Sequence, residues 1–421
     1  MIERMLRVSK ESLWVVTGQV AALIGTLVSI KYFTVNLPPN EYGRFAFGLI
    51  VATLFSQLLY GPLNNGTTRF YLPAIEKESF IGYFNSVLEL VSKVSTISFL
   101  ISIFIIVVLF VLNKSEWIYL VSLSSLYAIV TGINSILNGI QNSARHRSIV
   151  ALHQGVECWI RLLMAVYFFS RFGSLSVSVL LAYLGASIMV LFSQLIFFYK
   201  SLFSKLMFLE GREKCSREVI SYSMPFASWG IFTWVQQGSD RWIIERSLSM
   251  GEAGLYSVLL QIGFYPITFV TNVVVQFLTP IFYARAGATP NDKSARHVNG
   301  LSLNLLYATL FMTVVSFVVA LIFKTQLTNF FVSENYSELS PMLPWMLLAG
   351  GVFASSQIIA LNLMSQMKTR EMIPYKIGTA ILGIVFNFIG INYFGIAGAV
   401  GANVGFSLIS FVWVSTLVLK K

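Results

Sequence analysis

Long apolar runs alternate with short polar punctuation along the whole chain. A helix needs about 20 apolar residues to cross a bilayer's hydrocarbon core. Runs of that length, bounded by charges or by Gly/Pro/Asn clusters, predict twelve spans. The first six lie near 12–34, 43–63, 86–112, 117–138, 149–169 and 175–199. The second six lie near 220–245, 253–282, 299–323, 341–363, 373–392 and 396–418. The third and eighth are long enough to tilt or to project beyond the bilayer. Ahead of the first span, "MIERMLRVSKES" sets Ile2, Met5, Leu6 and Ser9 on one helical face and Arg4, Arg7 and Lys10 on the other. That pattern predicts an amphipathic lead-in on the membrane surface. The apolar run after it is too long for a signal-peptide h-region, so cleavage is not expected.

The pattern also repeats. "NEYGRFAFGL" (40–49) and "GEAGLYSVLL" (251–260) align Glu41, Gly43 and Phe45 with Glu252, Gly254 and Tyr256 at an offset of 211. The basic loops "LNGIQNSARHRSIV" and "LNLMSQMKTREMIP" follow the fourth span of each half, and "FGSLSVSV" and "FGIAGAVG" open the sixth. Six spans per copy is an even number, so the copies share one orientation, as in the parallel repeats of secondary transporters. The expectation is an all-α integral membrane protein with twelve transmembrane helices. Residues 1–210 and 211–421 form two six-helix lobes around a central cavity.

Composition agrees with this reading and charge adds an orientation. Apolar residues make up 56% of the 421 and charged residues 11%, with a mean hydropathy of +0.74; soluble domains carry about one-quarter charged residues. Of 29 Lys+Arg, Lys93, Arg161 and Arg241 fall within spans. Only Lys31, Arg44, Lys114, Arg171, Arg246 and Lys324 fall on the face opposite the N-terminus. All the others share the side of the two termini, which the positive-inside rule makes cytoplasmic. The basic excess therefore reflects topology and not nucleic-acid binding. Cys158 lies in a span and Cys215 in a loop, so no disulfide framework is expected.

Ionisable groups inside a bilayer are costly and usually face a partner or a cavity. In the fifth span, His153, Glu157 and Arg161 share a face, with acid before base at i,i+4. In the seventh, Gln237, Arg241 and Glu245 form a similar ladder. Asp240, beside Arg241 in sequence, is expected to face another helix or water instead. Further polar stripes are Thr53, Gln57, Tyr60 and Asn64 in the second span and Thr268, Asn272 and Gln276 in the eighth, with Glu89 and Lys93 in the third. Each neutral member alone reads equally as interhelical packing. Together the stripes suggest a hydrated, partly cationic chamber lined by Arg161, Arg241, Lys93, Gln57, Gln237, Asn272 and Gln276. Glu157 and Asp240 are candidates for ion coupling. Pro266, in "GFYPIT", removes a helix hydrogen bond and is a candidate hinge.

The motifs "LPPNEYGRFAFGL", "RFYLP", "SDRWII" and "GEAGLYSV", in that order over essentially the whole chain, resemble the polysaccharide-transport branch of the MOP (MATE-like) exporter superfamily. Its O-antigen members are the Wzx-type flippases. The resemblance implies that the cargo is an undecaprenyl-diphosphate-linked oligosaccharide, an O-antigen, capsule or related lipopolysaccharide repeat unit. It would pass from the inner to the outer leaflet of the bacterial cytoplasmic (inner) membrane. A proton or sodium gradient would drive it, membrane lipids would surround it, and a polysaccharide polymerase and chain-length regulator would be functional partners. No cofactor is implied. The diphosphate suits arginine, whose planar fork gives charge-assisted hydrogen bonds to phosphate.

Two alternatives remain. A MATE-type multidrug or cation antiporter shares the helix number, but cation pumps commonly need unpaired buried acids, and the acids here have basic neighbours. A membrane glycosyltransferase or polymerase would need catalytic carboxylates or a metal. The chain has only Asp240 and Asp292 as aspartates; His146, His153 and His297 lack zinc spacing; and no Walker A loop occurs. The segments 200–219 and 64–85 are too short for a catalytic domain. The protein is therefore read as a transporter, not an enzyme.

Overall fold

The computed structural model describes residues 2–206, 208–209, 211, 214–286, 292–365 and 372–419. Side chains at 2–13, 205, 229, 276–286, 292–298, 364–365, 373 and 419 fall outside the described set, and with them Gln276. The helices are α1 (Ile2–Asn36), α2 (Pro39–Phe55), α3 (Gly61–Glu76), α4 (Phe80–Val111), α5 (Ser115–Ser143), α6 (Arg147–Phe172) and α7 (Ser176–Phe198). They continue as α8 (Ser204–Leu206), α9 (Ser216–Ser247), α10 (Met250–Leu259), α11 (Tyr265–Ala286), α12 (Asp292–Phe331), α13 (Leu343–Ser365) and α14 (Met372–Leu419). There is no strand among the described residues.

Ten stretches among the described residues are long and apolar enough to cross a membrane. They coincide with the expected spans except in two places. The seventh, in α9, is continuous helix but too polar to count, because "QQGSDRWIIER" interrupts it. The last two are merged in α14, where Gly395 (φ 61°, ψ −141°) breaks the helix in a conformation open to glycine alone.

The chain divides into two compact units. The first comprises Met1–Ser29 and Arg44–Trp234. Its core is aromatic: Phe55, Tyr60, Phe80, Tyr83, Tyr127 and Phe198 are buried among Val87, Leu90, Ile136 and Ile140. The Tyr60 ring lies against Gly132 and its hydroxyl pairs with Ser95 Oγ at 3.0 Å, so Tyr60 belongs to the core and not to a polar lining. A π-helical turn, Ser56–Tyr60, joins α2 to α3. The extra residue breaks the i,i+4 register expected for Thr53, Gln57, Tyr60 and Asn64. Facing outward, α4 presents Phe99, Leu100, Phe104, Val107 and Phe110, an apolar surface of the kind that faces lipid.

The second unit comprises Ile30–Gly43 and Val235–Lys421. Its central helix is α13, flanked by α12 and α14 and lined by Ile359, Ala360, Leu363, Tyr375 and Val414. The 30–43 segment is anchored by backbone carbonyls. Lys31 Nζ donates to the carbonyls of Asn329 (2.6 Å) and Val332 (2.5 Å), and Tyr336 Oη donates to that of Leu37 (3.1 Å). Burial raises the Tyr336 phenol well above its ordinary pKa. Here the repeated glycines meet. A Cβ on Gly43 would strike the Met250 carbonyl, and one on Gly254 would strike the Pro39 carbonyl and sit 2.8 Å from the Gly43 nitrogen. Equivalent positions of the two repeats therefore approach backbone to backbone, which only glycine permits.

Candidate functional site

Among the described residues, the arginine expected within the fifth span lies in the first unit and the one expected within the seventh lies in the second. In the first unit α6 carries it, with α5 and α7 packed alongside. Arg161 Nη2 donates to Glu157 Oε1 at 2.5 Å, one helical turn away. That oxygen also accepts from Ser187 Oγ at 2.9 Å. The guanidinium carbon lies 4.7 Å from the Tyr183 ring centroid and 5.8 Å from that of Tyr127, close enough for the ring faces to attract a cation. Arg161 Nε–H is buried without a hydrogen-bond partner. About a fifth of the Arg161 side chain stays open, at 22%.

His153, expected on the same face, does other work. Its Nδ1 pairs with the Ile149 carbonyl (2.8 Å) and its Nε2 with Ser193 Oγ (3.0 Å), and its ring meets the edge of Phe197. The carbonyl fixes the proton on Nδ1, and the ring is 5% exposed. It is a saturated core histidine.

In the second unit the arginine lies on α9 among α10, α11 and α14. Asp240 Oδ2 accepts from Tyr256 Oη at 2.7 Å, and that hydroxyl accepts from Asn403 Nδ2 at 2.6 Å. The expectation that Asp240 looks to another helix is met by this pair. Its expected separation from Arg241 is not. Asp240 Oδ1 accepts the Arg241 backbone N–H at 2.8 Å and lies 3.8 Å from Arg241 Nε. A carboxylate one residue back reaches the guanidinium because the arginine folds toward it. The ladder of Gln237, Arg241 and Glu245 is likewise corrected. Arg241 Nη2 donates to the Gln237 backbone carbonyl (3.2 Å) and to Tyr265 Oη (3.1 Å), and no ion pair to Glu245 occurs among the described residues. Arg241 Nε–H, too, is buried and unbonded.

The other expected residues are more dispersed. Lys93 is exposed and pairs with Glu89 at 2.6 Å, in the expected acid-then-base order; Lys214 reaches the same carboxylate at 3.6 Å. Beyond them a cavity of about 160 Å³ is lined by Phe70, Lys77, Tyr83, Lys214, Cys215 and Glu218. Burial pushes the half-buried Cys215 thiol upward. Gln57 sits in the π turn, and Gln237 and Asn272 have exposed side chains. Pro266 is the second residue of α11, directly after a second π turn, Leu260–Phe264. The distortion expected from proline is thus shared with a register slip before it.

Residues missing from the expectation are Tyr127, Tyr183, Ser187, Tyr256, Tyr265 and Asn403. Tyr183 and Ser187 are four apart on α7 and share a face, a signal present in "AYLGAS". Tyr256 stood in the repeat motif, but nothing in its neighbours points to Asp240.

Known structures and families bear on this arrangement. The family model described as polysaccharide biosynthesis protein matches residues 8–286. No curated protein matches the chain closely in sequence. Among solved structures, the chain is similar to the lipid II flippase MurJ in an inward closed conformation, at 14% identity and a TM-score of 0.71 over 97% of this chain and 87% of that one. It is also similar to an inward-facing multidrug resistance MATE family transporter of the MOP superfamily, at 11% identity and 0.69 over 97% and 98%. A third is a MOP superfamily transporter from Pyrococcus furiosus, at 14% and 0.61 over 99% and 96%. At these identities the likeness is one of fold. A family match over well over half the chain, on a multi-pass helical fold shared with these transporters, makes this protein a member of the polysaccharide biosynthesis protein family with a MOP-superfamily fold.

Proposed function

We propose that the protein is a flippase that moves an undecaprenyl-diphosphate-linked oligosaccharide from the inner to the outer leaflet of the bacterial cytoplasmic membrane. It works by alternating access, with residues 1–210 and 211–421 as its lobes, both termini cytoplasmic, and Pro266 with its π turn as a hinge. An ion gradient drives it, and the glycan is an O-antigen or related repeat unit. One observation carries the reading: both intramembrane arginines keep a buried Nε–H without a hydrogen-bond partner. A buried donor left unpaired costs about 1–3 kcal/mol, and a phosphate oxygen would satisfy it while being neutralised. Lys93 and Lys214, at one end of α4, supply positive charge nearer the surface. Glu157 and Asp240 are the coupling carboxylates.

Purified protein in vesicles, given a fluorescent diphosphate-linked glycan, tests the reading. Arg161→Gln and Arg241→Gln should each reduce translocation at equal membrane abundance. Full activity in both variants would overturn the anion-binding role. Export of organic cations with no glycan movement would favour the multidrug alternative.

A further inference from the structure

The cavity of about 160 Å³ beside the start of α9 has a chemistry that the arginine sites do not share. It lies wholly in the first unit, where three pieces of chain meet: the end of α3, the first turn of α4 and the segment that leads into α9. Backbone hydrogen bonds fix that segment. The N–H groups of Ile81 and Gly82 donate to the carbonyls of Leu209 (3.3 Å) and Gly211 (3.0 Å), and the Gly211 N–H donates to the Glu78 carbonyl (3.0 Å). The Cys215 N–H donates to Ser86 Oγ at 3.1 Å. Donors that the first turn of α4 cannot pair internally are thereby satisfied, and Cys215 is brought to the cavity wall.

Floor and mouth differ. The lining residues Ala74, Ser79 and Tyr83 are buried, whereas Lys77, Lys214 and Glu218 are exposed. The Tyr83 hydroxyl is committed to the Thr67 carbonyl at 2.9 Å, so charge recognition falls to the three ionisable groups at the mouth. Lys214 also reaches Glu89 at 3.6 Å, and no ion pair to Glu218 occurs among the described residues. Two ammonium groups and one carboxylate on one rim match a ligand with a negative and a positive end. One water takes about 30 Å³ of liquid, so the space suits a group the size of roughly five waters. An apolar strip begins at the same rim. Phe70 lines the cavity and meets Tyr222 edge-on at 6.1 Å, and Tyr222 meets Phe226 at 5.5 Å. Met224 on the same helix and Leu72 on α3 are exposed as well. From Tyr222 to Phe226, α9 rises about 6 Å, away from the face expected to be cytoplasmic and into the bilayer.

We infer that this cavity takes the headgroup of a phospholipid that carries a primary amine, as phosphatidylethanolamine does. Its phosphate lies between Lys77 and Lys214, its ammonium on Glu218, and its acyl chains on the apolar surface of Leu72, Tyr222 and Met224. Lysine binds phosphate as a point charge, and a carboxylate accepts the N–H donors of a primary ammonium. Phosphatidylglycerol offers Glu218 no cation, and the choline of phosphatidylcholine has no N–H to donate. A diphosphate would bring a second negative charge toward the carboxylate with no amine to answer it, so the preference differs from that of the arginine sites. The inference does not depend on the flippase reading.

The Cys215 thiol reports on the cavity, because a headgroup there covers it. The full chain carrying Cys158→Ser is placed in nanodiscs of phosphatidylcholine, alone or mixed with phosphatidylethanolamine or phosphatidylglycerol, and alkylation by a water-soluble maleimide is timed. Protection is the part of the slowing that Lys77→Gln removes, which sets aside effects of the bilayer surface. It should be about two- to fivefold greater with phosphatidylethanolamine than with either other lipid, the worth of one exposed ion pair. Glu218→Gln should erase that preference. Lipids are compared within each variant, which cancels any change in the thiol's own reactivity, and both substituted side chains are exposed and outside the core. Slowing that ignores Lys77, a preference that survives Glu218→Gln, or equal protection by phosphatidylglycerol would overturn the inference. So would equal protection by inorganic phosphate in phosphatidylcholine nanodiscs, which would mark a site for a free anion.

Discussion

The ion pair on α6 allows a test that separates cargo binding from packing. Arg161 and Glu157 are 22% and 16% exposed, enclosed enough that removing one partner leaves a charge with little water to take its place. Breaking such a pair costs about 3 kcal/mol, and the tyrosine faces offset about 1 kcal/mol of it for the arginine. Glu157→Gln and Arg161→Gln should therefore each lower thermal stability in detergent. The double variant, with no unpaired charge, should be about 1–2 kcal/mol more stable than the sum of the two predicts. Binding should not follow stability. A lost hydrogen bond to a charged group is worth about 1.5–3 kcal/mol, or roughly 10- to 100-fold in affinity. Arg161→Gln should weaken capture of a diphosphate-linked lipid in nanodiscs by that factor, and the double variant should bind no better. Glu157→Gln should bind at least as well as wild type, because its arginine is unopposed. If the double variant regains both stability and affinity, the arginine serves only to neutralise its partner, and the cargo role is refuted.

Other perturbations follow from the same geometry. Tyr256→Phe removes the donor to Asp240 Oδ2 and should cost about 1–3 kcal/mol of stability, read as a lower melting temperature; an unchanged value would mean water replaces it freely. Gly254→Ala drives a Cβ into the Pro39 carbonyl and should destabilise by about 1–3 kcal/mol, whereas Gly401→Ala, with open space around it, should not. Gly395→Ala, at φ 61° and ψ −141°, should cost about 1–3 kcal/mol through backbone strain. The Cys215 thiol, raised by burial, is more fully protonated at neutral pH than a free thiol. In a Cys158→Ser background its alkylation should be slower than that of a model thiol at pH ~7 and accelerate as pH rises past the ordinary thiol range.

Much of this arrangement was legible because lipid imposes a simple rule on sequence: apolar runs of fixed length, separated by charge. That rule located the ten stretches long and apolar enough to cross a membrane among the described residues, and it recovered the i,i+4 pairs Glu89–Lys93 and Glu157–Arg161, whose partners are local. It failed where the partner is not local. Arg241 sits at the spacing that suggests Glu245, yet it folds toward Asp240 and Tyr265, because α10 and α11 bring tyrosine hydroxyls to that end of α9. The π turns at Ser56–Tyr60 and Leu260–Phe264 shift register by one residue, so a stripe counted at four-residue steps loses its face partway along. Tyr60 shows the consequence: it was expected with the polar lining and is instead wholly buried against Gly132.

The two arginines, similar in sequence context, are held in chemically different ways, and that difference assigns them different tasks. Both carboxylate oxygens of Asp240 accept hydrogen bonds, from Tyr256 and from the Arg241 backbone, in a site 5% exposed. Those bonds, with that of Asn403 to the Tyr256 hydroxyl, fix α9 against α10 and α14. Glu157 instead takes both of its hydrogen bonds, from Arg161 and Ser187, on one oxygen. A carrier that must seize an anion on one face and release it on the other needs one cation whose strength can be altered and gains from a second that cannot. On this argument Arg161 is the switched contact and Arg241 the constant one. Translocation should then change more in Glu157→Gln than its loss of stability explains, whereas Asp240→Asn should lower stability first and rate only in proportion.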